Sequence, residues 1–404
     1  MNAHRTRPAR RGGGRREAGF TLLELMTALV AGLVAVTATY LISAETSRHF
    51  NEQARVAQTQ TSVRMAMEQL RRDIARAGFF GTPNTQTEQR CVNAAFNYGA
   101  LAYQDGAGTA ALPLAGVNNV EADQLTLVGN YATSDGYLAR PAGAANNAVI
   151  VQEGWQAFRR SFGAPEIPAG GAGFTANAYD PNFFQAVFSQ DNQLHIETTA
   201  GNHFFVAIQG STGVNRQVAF APGTPPNPDC GDLTGSTVAP LSRIRYRVLD
   251  PAADARFAAL VNPTDAARGI TNSVLIREQI QFNGADTVVP GTERVILEYV
   301  ANFSLTFVVD NRAPPFAGPP NLVLLDDTQG AQAFLAANPE RVRSVIVDLS
   351  ARTPDADPGF RPLAGNRDPA ANGPLTRYRV IPNLDAAARV RSIRSEIFLP
   401  NVAP

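Results

Sequence analysis

The chain has no lysine: all 35 basic residues are arginine, and they balance 35 acids to a formal net charge of zero. Charged residues are only 17% of the total, below the usual quarter, so a solvated disordered chain is excluded. With no net positive charge, nothing in the totals points to nucleic acid. Cysteine is nearly absent, at two in 404 residues, which excludes a disulfide-dense scaffold. No C-x-x-C, G-x-S-x-G or phosphate-loop pattern occurs. No proline stands between Phe20 and Gly81, so nothing there forbids one unbroken helix, with Gly32 its weakest point. Catalysis finds no support: the chain is read as a non-enzyme, with no catalytic residues, no cofactor and no metal.

Charge is unevenly placed. Residues 1–19 hold Arg5, Arg7, Arg10, Arg11, Arg15 and Arg16 against Glu17, a local +5 that leaves −5 for the rest. Residues 25–44 follow as twenty positions without a formal charge, long enough to cross a bilayer as a helix. A basic block before an apolar run is the positive-inside pattern, so the first 19 residues are expected to stay cytoplasmic. A secretory signal peptide does not fit, because the small-residue site Ala18-Gly19 precedes the apolar run instead of following it. A plain membrane anchor leaves Glu24 unexplained, since an acid near the start of a spanning helix is costly. Thr27, Thr37 and Thr39 can return their hydroxyls to the helix backbone.

Gly19-Phe20-Thr21-Leu22-Leu23-Glu24-Leu25 resembles the prepilin cleavage motif of type IV pilins and type II secretion pseudopilins. The resemblance implies that a prepilin peptidase cuts between Gly19 and Phe20 and methylates the new amine of Phe20. Glycine suits the cut because it lets the backbone enter a protease site extended. Glu24 is then expected to dock a neighbouring subunit by pairing with its terminal amine. A lone carboxylate in low dielectric is penalised by several kcal/mol until a cation joins it.

Beyond residue 44 the pattern turns amphipathic. Val63, Met67, Leu70, Ile74 and Ala77 recur at spacings of three and four and predict one buried helical face, with Arg64, Glu68, Arg71, Arg72 and Asp73 on other faces. Gly78 is a stop signal. A helix from Phe20 to Ala77 would run about 87 Å. Leu70 to Gly81, with Phe79 and Phe80 as an aromatic plug, resembles the PilW family of minor pilins. So do Val295 to Phe307 and Val342 to Leu349.

The sequence thus divides into a basic leader (1–19), a transmembrane or filament-core helix (20–44), its amphipathic continuation (45–81) and an exported β-rich head (82–404), an α+β arrangement. Strands are predicted over Gln124–Val128, His203–Ile208, Ile244–Leu249, Ser273–Phe282, Val295–Val309, Val342–Leu349 and Arg389–Leu399, and a short helix over Ala331–Ala337. Stretches 105–118, 160–180, 210–240, 311–320 and 353–376 read as Gly/Pro-rich surface loops. Residues 82–240 give no clear pattern as a whole.

Cys91 and Cys230 both follow the apolar run, so both are expected in an oxidising compartment. They are read as a disulfide, which the chain-entropy model values at up to about 4–5 kcal/mol, against the alternative of two buried thiols. His195, Glu197 and His203 form the one compact set of metal-ligand types, too weak to count as a site. Asp326-Asp327 and Asp355-Ala356-Asp357 lack a full calcium loop.

The resemblance implies a minor pilin of a type IV pilus that helps to initiate assembly at the tip. Its expected partners are prepilin peptidase, other minor pilins, the major pilin, a tip adhesin and the inner membrane, and adhesion or twitching motility would be the outcome. The expected location is the inner membrane, single-pass, with an exported periplasmic domain, and then the pilus and cell surface. The alternatives are a J-type minor pseudopilin of type II secretion, whose head is usually smaller, and an uncleaved membrane-anchored binding protein.

Overall fold

A computed structural model of the protein describes residues 19–85, 98–143, 147–152, 156–163, 180–220, 232–268, 270, 272–312, 315–357, 359–361, 374–382 and 386–402. The chain divides into two compact units at residues 55/56. Helix α1 carries the bounds Leu22–Ala75, 54 residues without a break. In the first unit its apolar residues are exposed, as at Leu29, Leu33 and Ile42.

The second unit is built on antiparallel strands. They are β1 (Leu101–Gln104), β2 (Gln124–Gly129), β3 (Tyr137–Pro141), β4 (Ala148–Val151), β5 (Gln193–Glu197), β6 (His203–Thr212), β7 (Gln217–Phe220) and β8 (Ser236–Leu249). After them come β9 (Val274–Ile280), β10 (Arg294–Glu298), β11 (Val300–Asp310), β12 (Leu322–Leu325), β13 (Val342–Arg352), β14 (Arg377–Tyr378) and β15 (Ala388–Phe398). A ten-stranded sheet runs β1-β2-β8-β3-β4-β7-β6-β5, with β9 and β10 joined through β8; a five-stranded sheet runs β12-β11-β13-β15-β14. This is the expected α+β class: one long helix with a large β-rich domain.

Strand β8 is the spine of the larger sheet. Its first half pairs with β3 and β5 and its second half with β2 and β9. Apolar side chains recur at alternate positions toward the core, the period of a strand with one buried face. The segment 210–240, expected as loop, therefore contains the end of β6, all of β7 and the first five residues of this spine. The expected run Val295–Val309 is two strands. Tyr299 sits at φ 56°, and the chain changes sheet there, β10 pairing with β9 and β11 with β13. A left-handed residue between two strands turns the chain out of one ladder and into the next. The helix Ala331–Ala337 forms with its expected bounds.

Two main cores result. In the first, Val63, Met67, Leu70, Ile74 and Ala77 are buried together with Leu125, Tyr246, Leu275, Phe303, Phe307, Val345 and Ile397 from both sheets. The predicted helix face is thus the buried one, and it closes the space between the sheets. The second core lies under β3 to β7 and holds an aromatic cluster, Tyr137, Phe158, Phe162, Phe184 and Phe188, among aliphatic side chains. Phe184 and Phe188 are 4.8 Å apart between ring centroids, within the contact range of aromatic pairs.

Candidate functional site: the helix start and the helix–sheet joint

The first residues of interest stand at the start of α1. The amide of Thr21 donates to Glu24 Oε2 at 3.0 Å, the Thr21 hydroxyl donates to the same oxygen at 3.0 Å, and the amide of Glu24 donates to Thr21 Oγ1 at 3.2 Å. Together these form a capping box, Thr at the N-cap and Glu at N3, which satisfies two of the amides a helix start leaves unpaired. The Thr-x-x-Glu spacing was legible in the sequence, and the motif reading passed over it. It corrects the picture of Glu24 as a lone carboxylate, since within its own chain the side chain already accepts two hydrogen bonds. None of these bonds involves the Gly19–Phe20 peptide, so the cap would outlast a cut there.

Phe20 is 87% exposed. The apolar run of α1 is exposed along its length, and the helix is long and apolar enough to span a bilayer. Thr27, Thr37 and Thr39 donate their hydroxyls to the carbonyls of Leu23, Leu33 and Ala35, four residues back. Each of these three threonine hydroxyls is thereby satisfied without water, as hydrocarbon surroundings require.

At its other end α1 is held by polar groups as well as by its apolar face. Asp73, expected on the polar side, is buried. It accepts from Arg277 Nε at 2.6 Å, from the Tyr246 hydroxyl at 2.7 Å and from Gln69 Nε2 at 3.2 Å. Its backbone carbonyl accepts from the Tyr131 hydroxyl at 2.9 Å. Burial, and the Asp73 charge beside it, push the Tyr246 hydroxyl well above its usual range, so it stays a donor. The Arg76 guanidinium donates to the carbonyls of Asn130 and Thr133 and lies over the rings of Phe79 and Tyr131. The Asn401 side chain donates to the free carbonyl of Ala75 at 2.9 Å, capping the helix C-terminus.

Gly78 sits at φ 76° and donates its amide to Val128 O at 2.8 Å; a Cβ there would stand 2.9 Å from Asn401 O. Only glycine takes both that conformation and that approach without strain. Phe79 and Phe80, the expected plug, meet edge to face at 4.6 Å.

His195, Glu197 and His203 share one face of the β5–β6 ladder, but they do not make a metal site. His195 Nδ1 donates to the carbonyl of Phe80, and His203 Nδ1 lies 3.0 Å from His195 Nε2. Burial first, and then His203, hold His195 down to about 3, so it is a neutral core residue tying β5 to the joint. Among the described residues no group of three metal-ligating side chains converges. Asp357 is paired with Arg389 at 2.8 Å, and Asp326 accepts from the Thr328 hydroxyl at 2.6 Å, so each has an ordinary structural partner. Cys91 and Cys230 lie outside the described residues.

Against known proteins, the family model described as the prokaryotic N-terminal methylation motif matches residues 14–40. The match takes in Arg15 and Arg16 at the end of the basic block, the Gly19–Phe20 junction, Glu24 and the first part of the apolar run, and it supports a type IV pilin-like chain. No curated protein sequence matches. Among solved structures, a type IV-like pilin from Thermus thermophilus is similar at 13% identity over 54% of this chain and 91% of that one, with a TM-score of 0.18. So slight a superposition carries no inference about this chain.

Proposed function

We propose that this protein is a minor pilin of a type IV pilus, processed by a prepilin peptidase and working in filament assembly at the tip. The observation that carries the reading is the coincidence of the methylation motif, matched over residues 14–40, with a helix from Leu22 whose apolar run is exposed among the described residues. The peptidase would cut between Gly19 and Phe20 and methylate Phe20. Glu24 would take the terminal amine of a neighbouring subunit as a further partner, beside the two bonds it accepts from Thr21. Residues 20–44 would be the contact spine, first in the inner membrane and then in the filament. The large β-rich domain, on the periplasmic side and later at the cell surface, would meet other minor pilins, the major pilin or an adhesin. Cys91 and Cys230 would be joined there. The size of the domain favours this reading over a J-type pseudopilin.

The test is the intact mass and N-terminal sequence of the protein from cells with and without prepilin peptidase. A terminus at N-methyl-Phe20 only where the peptidase is present supports the proposal. An uncut leader in both strains refutes it and leaves a membrane-anchored binding protein.

A further inference from the structure

Strands β10 and β12 both stand at sheet edges and differ in how they are defended. Strand β10, which among the described residues pairs only with β9, carries Arg294 and Glu298 and has a register irregularity between Val295 and Leu297. Charges and bulges of this kind keep an exposed edge from recruiting another strand. Strand β12 has none of these devices. It reads Leu322-Val323-Leu324-Leu325, its register with β11 is regular, and among the described residues it pairs with no other strand. Leu322 and Leu324 are each 55% exposed on the outer face of the five-stranded sheet, which also carries Phe398, 70% exposed, three strands away on β15.

The ladder parity shows which backbone groups are free. Asn311 N donates to Asn321 O at 2.8 Å, so 311 and 321 are a hydrogen-bonded pair. By alternation 309 with 323 and 307 with 325 are the next. The amides and carbonyls of Leu322 and Leu324 therefore point outward along the sheet.

We propose that β12 is a self-pairing edge, where a second copy of this chain docks its own β12 antiparallel about a two-fold axis. Outward groups on 322 and 324 allow one central register: Leu322 opposite Leu324 of the second copy, and Val323 opposite itself. That register forms four ladder hydrogen bonds and brings four exposed leucines onto one face. The ends are complementary. Beyond the C-terminal end of β12 stands the carboxylate of Asp326. At the N-terminal end Arg312 holds the carbonyls of Phe316 and Gly318, and Arg312 with Arg343 outnumber Asp310. Antiparallel pairing sets each acidic end against the basic end of the other copy, which is the self-complementarity a two-fold interface requires. Charge opposite charge favours a second copy over an unrelated apolar strand. The interface is small and belongs to the transient class, and a shared membrane would raise its occupancy by confining both copies. The inference is independent of the pilin reading.

The full chain in detergent micelles, carrying Val323→Cys, tests it. Across a non-hydrogen-bonded pair the two Cα atoms stand about 4.5 Å apart, within disulfide reach, whereas two copies of residue 322 would be about 8–9 Å apart, beyond it. Mild oxidation followed by peptide mass mapping should give a 323–323 cross-link about ten-fold more abundant than the 322–322 cross-link of Leu322→Cys. Adding Leu324→Pro removes an outward donor while sparing the bonds to β11; it should lower the 323–323 yield about ten-fold, as loss of about 1.4 kcal/mol would. Leu324→Lys serves the same purpose should the proline variant not fold, as judged by near-UV circular dichroism. Equal yields at 322 and 323, no 323–323 product from folded protein, or a yield that neither Leu324 variant changes would overturn the proposal.

Discussion

Asp73 offers the sharpest test of how α1 is joined to the sheets. Its carboxylate and the Arg277 guanidinium meet at 2.6 Å with side chains only 8% and 16% exposed. Replacing Asp73 by leucine removes the anion and leaves the arginine buried without a counter-charge, along with an unpaired Tyr246 hydroxyl. Breaking a buried pair in this way costs about 3–5 kcal/mol. At about 2 °C per kcal/mol for a domain of this size, the melting midpoint should fall by about 6–10 °C. Near-UV circular dichroism of the full protein in detergent would follow the head and not the membrane helix. The double variant Asp73→Leu/Arg277→Met, which removes both charges, should recover most of the loss. Glu68→Gln is the control: its pair with Arg71 is long, at 3.8 Å, and exposed on both sides, so the midpoint should move by less than about 1–2 °C. A midpoint for Asp73→Leu within 2 °C of wild type, or a double variant no better than the single, would refute the view that this pair anchors the helix.

Three further outcomes are expected. Thr21→Ala removes the helix cap at a cost of about 0.5–2 kcal/mol, so hydrogen exchange at the amides of residues 22–24 should quicken while the head is unchanged. Asp123 is buried between the sheets and accepts from Leu305 N at 2.8 Å and Gly106 N at 3.0 Å. Burial, the dominant effect, raises it to about 7 against the opposing Gly106 amide. The folded state therefore holds a proton that the unfolded state gives up, so stability should fall as pH rises from about 4 to about 7 and level off above. Asp123→Asn should flatten melting midpoints across that range. Cys91 and Cys230 in exported protein should resist alkylation until a reductant is added, and free labelling of both without it would dismiss the disulfide.

The helix face was legible because Val63, Met67, Leu70, Ile74 and Ala77 follow the period of a helix and nothing competes with that signal. The isolated strands of the C-terminal half were legible for the same reason, each being a short alternating run. Asp73 was not, because its partners Arg277, Tyr246 and Tyr131 are brought in by folding from distant parts of the chain. Polarity alone placed it on the solvent side. The sheet change at Tyr299 was hidden because apolar alternation continues across it. Strands β2 and β6 were legible as alternating runs, but β1, β3, β4, β5 and β7 were not, because they are four or five residues long and separated by helical turns and Gly/Pro-rich stretches, so no single run dominates. His195 illustrates the limit for sites: its residue type and spacing fit a ligand, but the carbonyl of Phe80, 115 residues away, makes it a structural tie.

The bond from Asn401 to the carbonyl of Ala75 spans 326 residues of sequence, and β15 lies inside its sheet, between β13 and β14. On the proposed export route, with the leader held on the cytoplasmic side, the residues after the membrane span would cross in chain order, so the end of α1 would arrive early and the pieces that close around it late. Until residues 388–401 have crossed, Ile397 is missing from the core, the five-stranded sheet lacks an interior strand and the helix end has no cap. On that route the head would complete its fold only when export is nearly done, and a chain stalled short of β15 would expose the apolar stripe of α1 to whatever surveys unfolded protein on the far side.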